Sequence, residues 1–146
     1  LTRDRNHYYT PGAGKSIEEI DWPVQSRSQD LVIAMSVFTH LQENEAVRYL
    51  AKIDDVLTEN GLAIISFLIV RDYVNPHFLY NFTHPLTPGW FTSNPAYPEM
   101  AIGVTGAAML KLVSPKFKVL AHIEGCLTGG RHPSMQDLFV LKKVSA

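Results

Sequence analysis

The sequence predicts an α/β fold in which parallel strands form the centre of the sheet. Two runs, residues 31–38 and 62–70, are almost continuously apolar, which is typical of strands that are buried on both faces. An amphipathic helix with short connections lies between them, and this strand–helix–strand order indicates a right-handed parallel crossover. Alternating apolar and polar residues near the end of the chain add an antiparallel pair of strands.

Length and composition limit the classes of protein to which the chain can belong. Its 146 residues suit a single domain, and 46% hydrophobic with 18% charged residues is typical of a globular protein. The net charge of −1 and the short apolar runs predict neither a nucleic acid nor a membrane as partner. The single cysteine, Cys126, excludes an internal disulfide framework and a thiolate-rich metal site, so we expect a cytoplasmic protein without a metal ion.

The first 29 residues are polar and rich in turns, and we expect an irregular segment there. The run GAGKS at positions 12–16 resembles part of a phosphate-binding loop. The first glycine of that motif would stand at Tyr9, and no apolar strand precedes it. An ordinary turn is therefore the preferred interpretation.

Asp30 opens the first apolar run, whose short length and β-branched residues favour a strand over a buried helix. A helix is predicted over residues 43–57, where apolar residues recur at three- and four-residue spacing. Asn60 and Gly61 both tolerate positive φ and predict the end of this helix. The second apolar run, residues 62–70, then forms the next strand.

Residues 71–103 are expected to form a long irregular loop, because five prolines stand there among seven aromatic residues. Loops of this length are uncommon and often functional. The loop is interpreted either as a lid over an acceptor pocket or as a second small core beneath a loop. Its histidines, His77 and His84, lie seven residues apart without a nearby thiolate and make a poor zinc site.

The end of the chain is predicted to form a short helix and a hairpin. The helix covers residues 106–113 and ends before Ser114 and Pro115. Residues 117–124 alternate, with Phe117, Val119, Ala121 and Ile123 on the apolar face, and residues 137–142 form a second strand. Glycines and a proline between the two strands indicate antiparallel pairing across a long connection.

Three segments resemble the class I S-adenosylmethionine-dependent methyltransferases: DLVIAMSVFTHL at 30–41, DDVLTENGLAIISFL at 54–68 and FKVLAHIEGCLTGGRHPSMQDLFVLKK at 117–143. The resemblance covers roughly residues 17–143 and implies a partial Rossmann-like methyltransferase sheet with flanking helices, in one domain over residues 1–146. The matched strands are the family's fourth to seventh. The glycine-rich turn and the acidic residue after the family's first two strands are therefore expected to lie outside this C-terminal part.

The resemblance implies S-adenosylmethionine as cofactor and a small-molecule or sugar-type acceptor. Ala34, Met35 and Ser36 would line the cofactor site at the carboxyl end of their strand, the edge where open α/β sheets bind ligands. Glu19 would lie near the adenine, with a solvated pair formed by Glu18 and Glu19 as the alternative.

His40, or else His84 from the long loop, is the candidate catalytic base, needed only when the acceptor is a weak nucleophile such as a hydroxyl. The alternative is that Thr39 or His40 caps the following helix. Substrate contacts are expected from His84 and Trp90 in the long loop and from Arg131 in the final hairpin. Alternatively, Arg131 and its neighbours His132, Gln136 and Asp137 only order that turn.

Two functions follow from this reading. The chain is either the C-terminal part of a methyltransferase or a non-catalytic, truncated module that acts in interaction or oligomerisation. A sheet that begins at the family's fourth strand leaves an apolar edge unpaired, and such an edge pairs readily with another chain. The expected partner at this edge is a second copy of the chain or a separate N-terminal half.

Overall fold

The computed structural model describes residues 21–71, 80–128 and 131–144. The GAGKS run, Glu18, Glu19 and His77 lie outside the described residues. The predictions made for them stay predictions.

The described residues form seven strands and two α-helices, with short 3₁₀ turns between some of them. The elements are β1 (Gln29–Ala34), α1 (Glu43–Val56), β2 (Leu57–Val70), β3 (His84–Thr87), β4 (Trp90–Thr92), β5 (Ile102–Thr105), α2 (Gly106–Val113), β6 (Phe117–Ile123) and β7 (Asp137–Lys143). Both helices lie where the sequence predicts them, and α2 has the predicted bounds.

The strands form one mixed sheet in the order β3-β4-β5-β2-β7-β6, with β1 also paired to β2. β1 and β5 run parallel to β2 and pair with successive stretches of it, β5 with the last three residues. β7 runs antiparallel to both β2 and β6, which confirms the predicted hairpin. The predicted fold class, a Rossmann-like sheet with parallel strands and a C-terminal antiparallel pair, is therefore confirmed.

Residues 71–103 differ from the irregular loop that the sequence predicts, because they contain β3, β4 and β5. These strands have only three or four residues each, too few to show a period of two. Pro85 in β3 is tolerated because β3 ends the strand order and pairs only with β4 among the described strands.

The junction between α1 and β2 also differs from the prediction. Asn60 and Gly61 do not end the helix but lie inside β2, which already begins at Leu57. A Cβ atom on Gly61 would stand 2.8 Å from Cδ2 of Leu57, so this tightly folded part of the strand requires glycine.

The main core lies between the two helices and one face of the sheet. On β2 it contains Ala63, Ile65, Phe67 and Ile69, which alternate along the strand and are all at most 2% exposed. A second small core covers the other face near the end of β2 and consists of Leu68, Phe82, Ala101 and Leu127, with Val70, Tyr80 and Phe91 packed against it. This packing fits the second interpretation of the aromatic segment, a small core beneath a loop.

Candidate active site at the carboxyl edge of the sheet

The polar side chains of the candidate site gather at one edge of the sheet. β1 and β2 are parallel and end at this edge, whereas the antiparallel β7 begins there and β6 ends there. The topology therefore brings together residues from four distant parts of the sequence. This is the edge at which α/β sheets bind ligands.

Ser36, a predicted cofactor residue, follows β1 and has a φ of 56°, in the left-handed region that non-glycine residues rarely adopt. Two hydrogen bonds hold it there. The backbone N–H of Ser36 donates to Oγ of the buried Ser66 at 2.8 Å. Nε2 of Gln136 donates to Oγ of Ser36, also at 2.8 Å. The strand consequently ends at Ala34 rather than continuing to Phe38, and the Ser36 side chain stays exposed.

The other predicted cofactor residues differ in exposure. Ala34 is 7% exposed and belongs to the main core, whereas Met35 is 44% exposed beside Ser36.

Oε1 of Gln136 is buried and has no hydrogen-bond partner within the described part of the chain. A buried acceptor without a partner is costly, so a ligand donor at this point would stabilise the site.

His40 lies in the 3₁₀ turn after β1, with Nδ1 2.8 Å from the backbone oxygen of Glu99. Nδ1 therefore donates its proton to that carbonyl, which fixes the orientation of the ring. Neither Thr39 nor His40 caps α1, so that alternative was wrong. The cap is Gln42, whose backbone N–H donates to the Glu45 carboxylate at 2.9 Å, while its side chain reaches Glu99 at 3.0 Å.

The three predicted substrate residues differ in burial. His84 is exposed on β3, and Arg131 is exposed in the segment before β7. Trp90 is 1% exposed and packs in the main core, so in this structure its side chain stabilises the fold. His132 accepts a hydrogen bond from the backbone N–H of Ser134, as expected for a residue that orders the turn.

A charged cluster that the sequence reading did not predict lies at the same edge. The buried Asp137 carboxylate accepts hydrogen bonds from Nε2 of His122 at 2.6 Å, from Arg71 at 3.2 Å and from the backbone N–H of Gly125 at 3.0 Å. Arg71 also pairs with Glu124 at 2.7 Å. The ring of His122 stacks on Phe139 with centroids 4.3 Å apart and an interplanar angle of 9°.

A β-bulge explains why this cluster was missed. Simple alternation along β6 predicts His122 on the polar face with Lys118. The pairing with β7 shifts between Val119 and Ala121, so Leu120 is an extra residue and the later side chains change face. His122 is thereby paired with Phe139, on the face that carries Phe117 and the main core.

A cavity of about 370 Å³ opens beside the cluster, between α2 and the sheet. Its walls include Ile69, Met109, Leu110 and Phe139, and its polar side chains are Arg71 and His122.

Within the described residues, no three His, Cys, Asp or Glu side chains are arranged to hold a metal ion. No helix of the described ranges is long and apolar enough to cross a membrane.

Comparison with solved structures gives similarity in fold. No protein-family model matches the chain. A S-adenosylmethionine-dependent methyltransferase from Methanosarcina mazei superposes with a TM-score of 0.61 at 16% identity, over 94% of this chain and 74% of the other. A protein from Pyrococcus horikoshii superposes with a TM-score of 0.60 at 14% identity, over 88% of this chain and 57% of the other.

A third structure is the 1,6-didemethyltoxoflavin-N1-methyltransferase of Burkholderia thailandensis with bound 1,6-didemethyltoxoflavin and S-adenosylhomocysteine. It matches with a TM-score of 0.56 and 12% identity, over 91% of this chain and 50% of the enzyme. The chain thus spans between half and three quarters of these three proteins. At these identities the similarity concerns the fold, and the chain has the fold of the S-adenosylmethionine-dependent methyltransferases.

Proposed function

We propose that this chain forms part of a S-adenosylmethionine-dependent methyltransferase that acts on a small-molecule acceptor. The observation that carries the proposal is the arrangement around Ser36. A strained residue that follows the carboxyl end of β1 is held by Ser66 and Gln136, at the edge where this fold binds its ligands.

The residues at this edge fit the polar groups of the cofactor. Ser36 accepts a hydrogen bond from Gln136 and keeps its own hydroxyl proton for a ligand acceptor. Oε1 of Gln136 offers an acceptor without a protein partner among the described residues. The half-exposed Met35 adds apolar surface beside them. Glu19, outside the described residues, stays a proposed contact to the adenine.

The cofactor supplies an electrophilic methyl group with a good leaving group. The protein then has to align the acceptor and exclude water, which agrees with a site made of hydrogen-bonding and apolar groups. His40 stays the proposed base for a hydroxyl acceptor at the end of β1, because the Glu99 carbonyl fixes its ring. His84 and Arg131, both exposed, stay proposed contacts to the acceptor.

A second function, a non-catalytic interaction module, is favoured by one observation. Leu31 and Ile33 on β1 are 48% and 60% exposed, and β1 pairs only with β2 among the described strands. Exposed apolar side chains on an edge strand promote pairing with another chain.

The deciding experiment is calorimetric titration of S-adenosylhomocysteine into the purified chain, with the mass in solution measured alongside. We expect micromolar binding. Ser66→Ala, which removes the acceptor for the Ser36 N–H, should weaken it by about tenfold. Ser114→Ala, an exposed serine at the end of α2, is the matched control and should bind as the parent does.

A folded chain that shows no binding would contradict a cofactor site in these residues. If such a chain also forms a stable oligomer, the interaction module becomes the better proposal. Equal loss of binding in both serine variants would show that the effect does not arise at Ser36.

A further inference from the structure

His122 and Asp137 are arranged as a histidine held by a carboxylate. Nε2 of His122 lies 2.6 Å from Oδ2 of Asp137, so Nε2 carries the proton and Nδ1 carries the lone pair of the neutral ring. Stacking on Phe139 fixes the plane of the ring. An imidazole oriented in this way by a buried carboxylate is ready to accept a proton at its second nitrogen.

Three charged side chains surround the ring. Arg71 contributes one positive charge, and Asp137 and Glu124 contribute two negative charges, all within one hydrogen-bonded group. With a neutral imidazole the cluster carries one net negative charge. Among these charged groups, Asp137 is the one that contacts the ring, through its hydrogen bond from Nε2.

The adjoining cavity determines what kind of molecule can deliver the proton. Its volume of about 370 Å³ lies in the range of small-ligand pockets. Most of the lining residues are apolar, and they include the thioether of Met109 and the ring of Phe139. Such groups pack well against aromatic rings. The guanidinium of Arg71 lies on the same cavity and suits a ligand oxygen that becomes negative.

We propose that this cavity binds a small aromatic molecule with an acidic hydroxyl group, and that His122 accepts the hydroxyl proton. The O–H bond breaks, its electron pair stays on the oxygen, and a new N–H bond forms at Nδ1. The resulting phenolate faces Arg71, and the imidazolium is held by Asp137. The inference rests on the proposed function in one respect, since such a molecule would be the methyl acceptor. For an acceptor bound in this cavity, His122 takes the place of His40 as the base.

4-Nitrophenol is a direct probe because its phenolate absorbs visible light and its neutral form does not. The dye is titrated with the full chain at a pH below the ordinary pKa of the dye. We expect saturable binding and an increase of phenolate absorbance on binding.

His122→Gln keeps an N–H that can donate to Asp137 but has no nitrogen that can accept the proton. We expect it to lower the phenolate signal of the bound dye by about tenfold, whereas the apolar contacts still bind neutral dye. Leu110→Trp adds bulk to a side chain that lines the cavity and is 50% exposed. It should abolish binding with the circular dichroism spectrum unchanged.

His132→Gln changes a histidine outside the cavity and serves as the matched control, with dye binding expected to equal that of the parent. Unchanged phenolate absorbance in His122→Gln, or saturable binding in folded Leu110→Trp, would overturn the proposal. Binding of S-adenosylhomocysteine without dye binding refutes only the acceptor cavity. Dye binding without S-adenosylhomocysteine binding refutes a cofactor site in these residues and leaves the aromatic site standing.

Discussion

Asp54 on α1 pairs with two lysines, Lys116 just before β6 and Lys143 at the end of β7. Its Oδ2 lies 2.6 Å from Nζ of Lys116 and its Oδ1 3.4 Å from Nζ of Lys143. Partial burial of Asp54 raises the pKa of its carboxyl, but the hydrogen bonds and charges of both lysines outweigh burial and lower the pKa below its ordinary value. The ionised form is therefore favoured in the folded chain.

This interaction predicts a pH-dependent contribution to stability. Because the folded-state pKa is lowered, the stabilisation is complete above the ordinary pKa of aspartate and is lost as the pH falls through the folded-state value. Asp54→Asn should lower the free energy of unfolding by about 1 kcal/mol at neutral pH, since the pair is partly solvated.

Urea unfolding at neutral pH and at about pH 3 measures the effect, and the difference between Asp54→Asn and the parent should shrink at the lower pH. Asp55→Asn, an exposed neighbour bonded to Ser26, is the control and should change stability less. If Asp54→Asn lowers the free energy of unfolding equally at both pH values, the ionised Asp54 carboxylate is not the source of the stabilisation.

At two single residues, the sequence does not predict the contacts that the structure has. The resemblance placed Ser36 in the site, but it could not supply the partner, because Gln136 lies 100 positions away. His122 stayed hidden because its face depends on a bulge, and no residue in the β6 pattern marks that bulge. In both cases the missing information is tertiary pairing.

At the scale of elements, β5 shows how close packing fixes a short strand. A Cβ atom on Gly103 would stand 2.5 Å from Cγ2 of Val70 and 2.8 Å from Cγ of Phe82. Glycine at this position therefore lets β5 pair with the end of β2 beneath the second small core.

Gly103→Ala should consequently destabilise the chain by about 1–3 kcal/mol through overpacking. Gly106→Ala, three residues later at the start of α2, meets no atom within 4 Å and should be neutral or slightly stabilising. Thermal unfolding of both variants tests the contrast. Equal stability of the two variants would show that Val70 and Phe82 can move aside for the added methyl group without a loss of stability.

The helices and β2 were predictable because a helical period or an almost unbroken apolar run extends over many residues. α1 lies within one residue of its predicted range, and the long β2 includes the whole predicted apolar run. β3, β4 and β5 were not predictable, since strands of three or four residues are specified by their neighbours and not by their own pattern.

At the scale of the whole molecule, the sheet has two unlike faces. Both helices pack on one face, and the second small core covers only part of the other. The pairing register places Leu31, Ile33 and Ile123 on that other face, and these side chains are 44–60% exposed. Exposed apolar side chains on one face of a sheet promote association with apolar partners.

Ile33→Lys should therefore reduce self-association of the chain, with little effect on its stability, because this side chain is already 60% exposed. Sedimentation velocity over a range of concentrations measures it. Val47→Lys on α1 is the control, since Val47 is 52% exposed and belongs to a helix on the opposite face. An equal decrease in both variants would point to net charge rather than to this surface.

The bond between Gln136 and Ser36 also sets an order of events during synthesis. Ser36 leaves the ribosome long before Gln136, and β7, last in sequence, inserts between β2 and β6. Contacts of such sequence separation form late, because the intervening chain must first be ordered. The nascent chain therefore presents an unfinished ligand edge until β7 docks, and ligand capture follows the docking of β7.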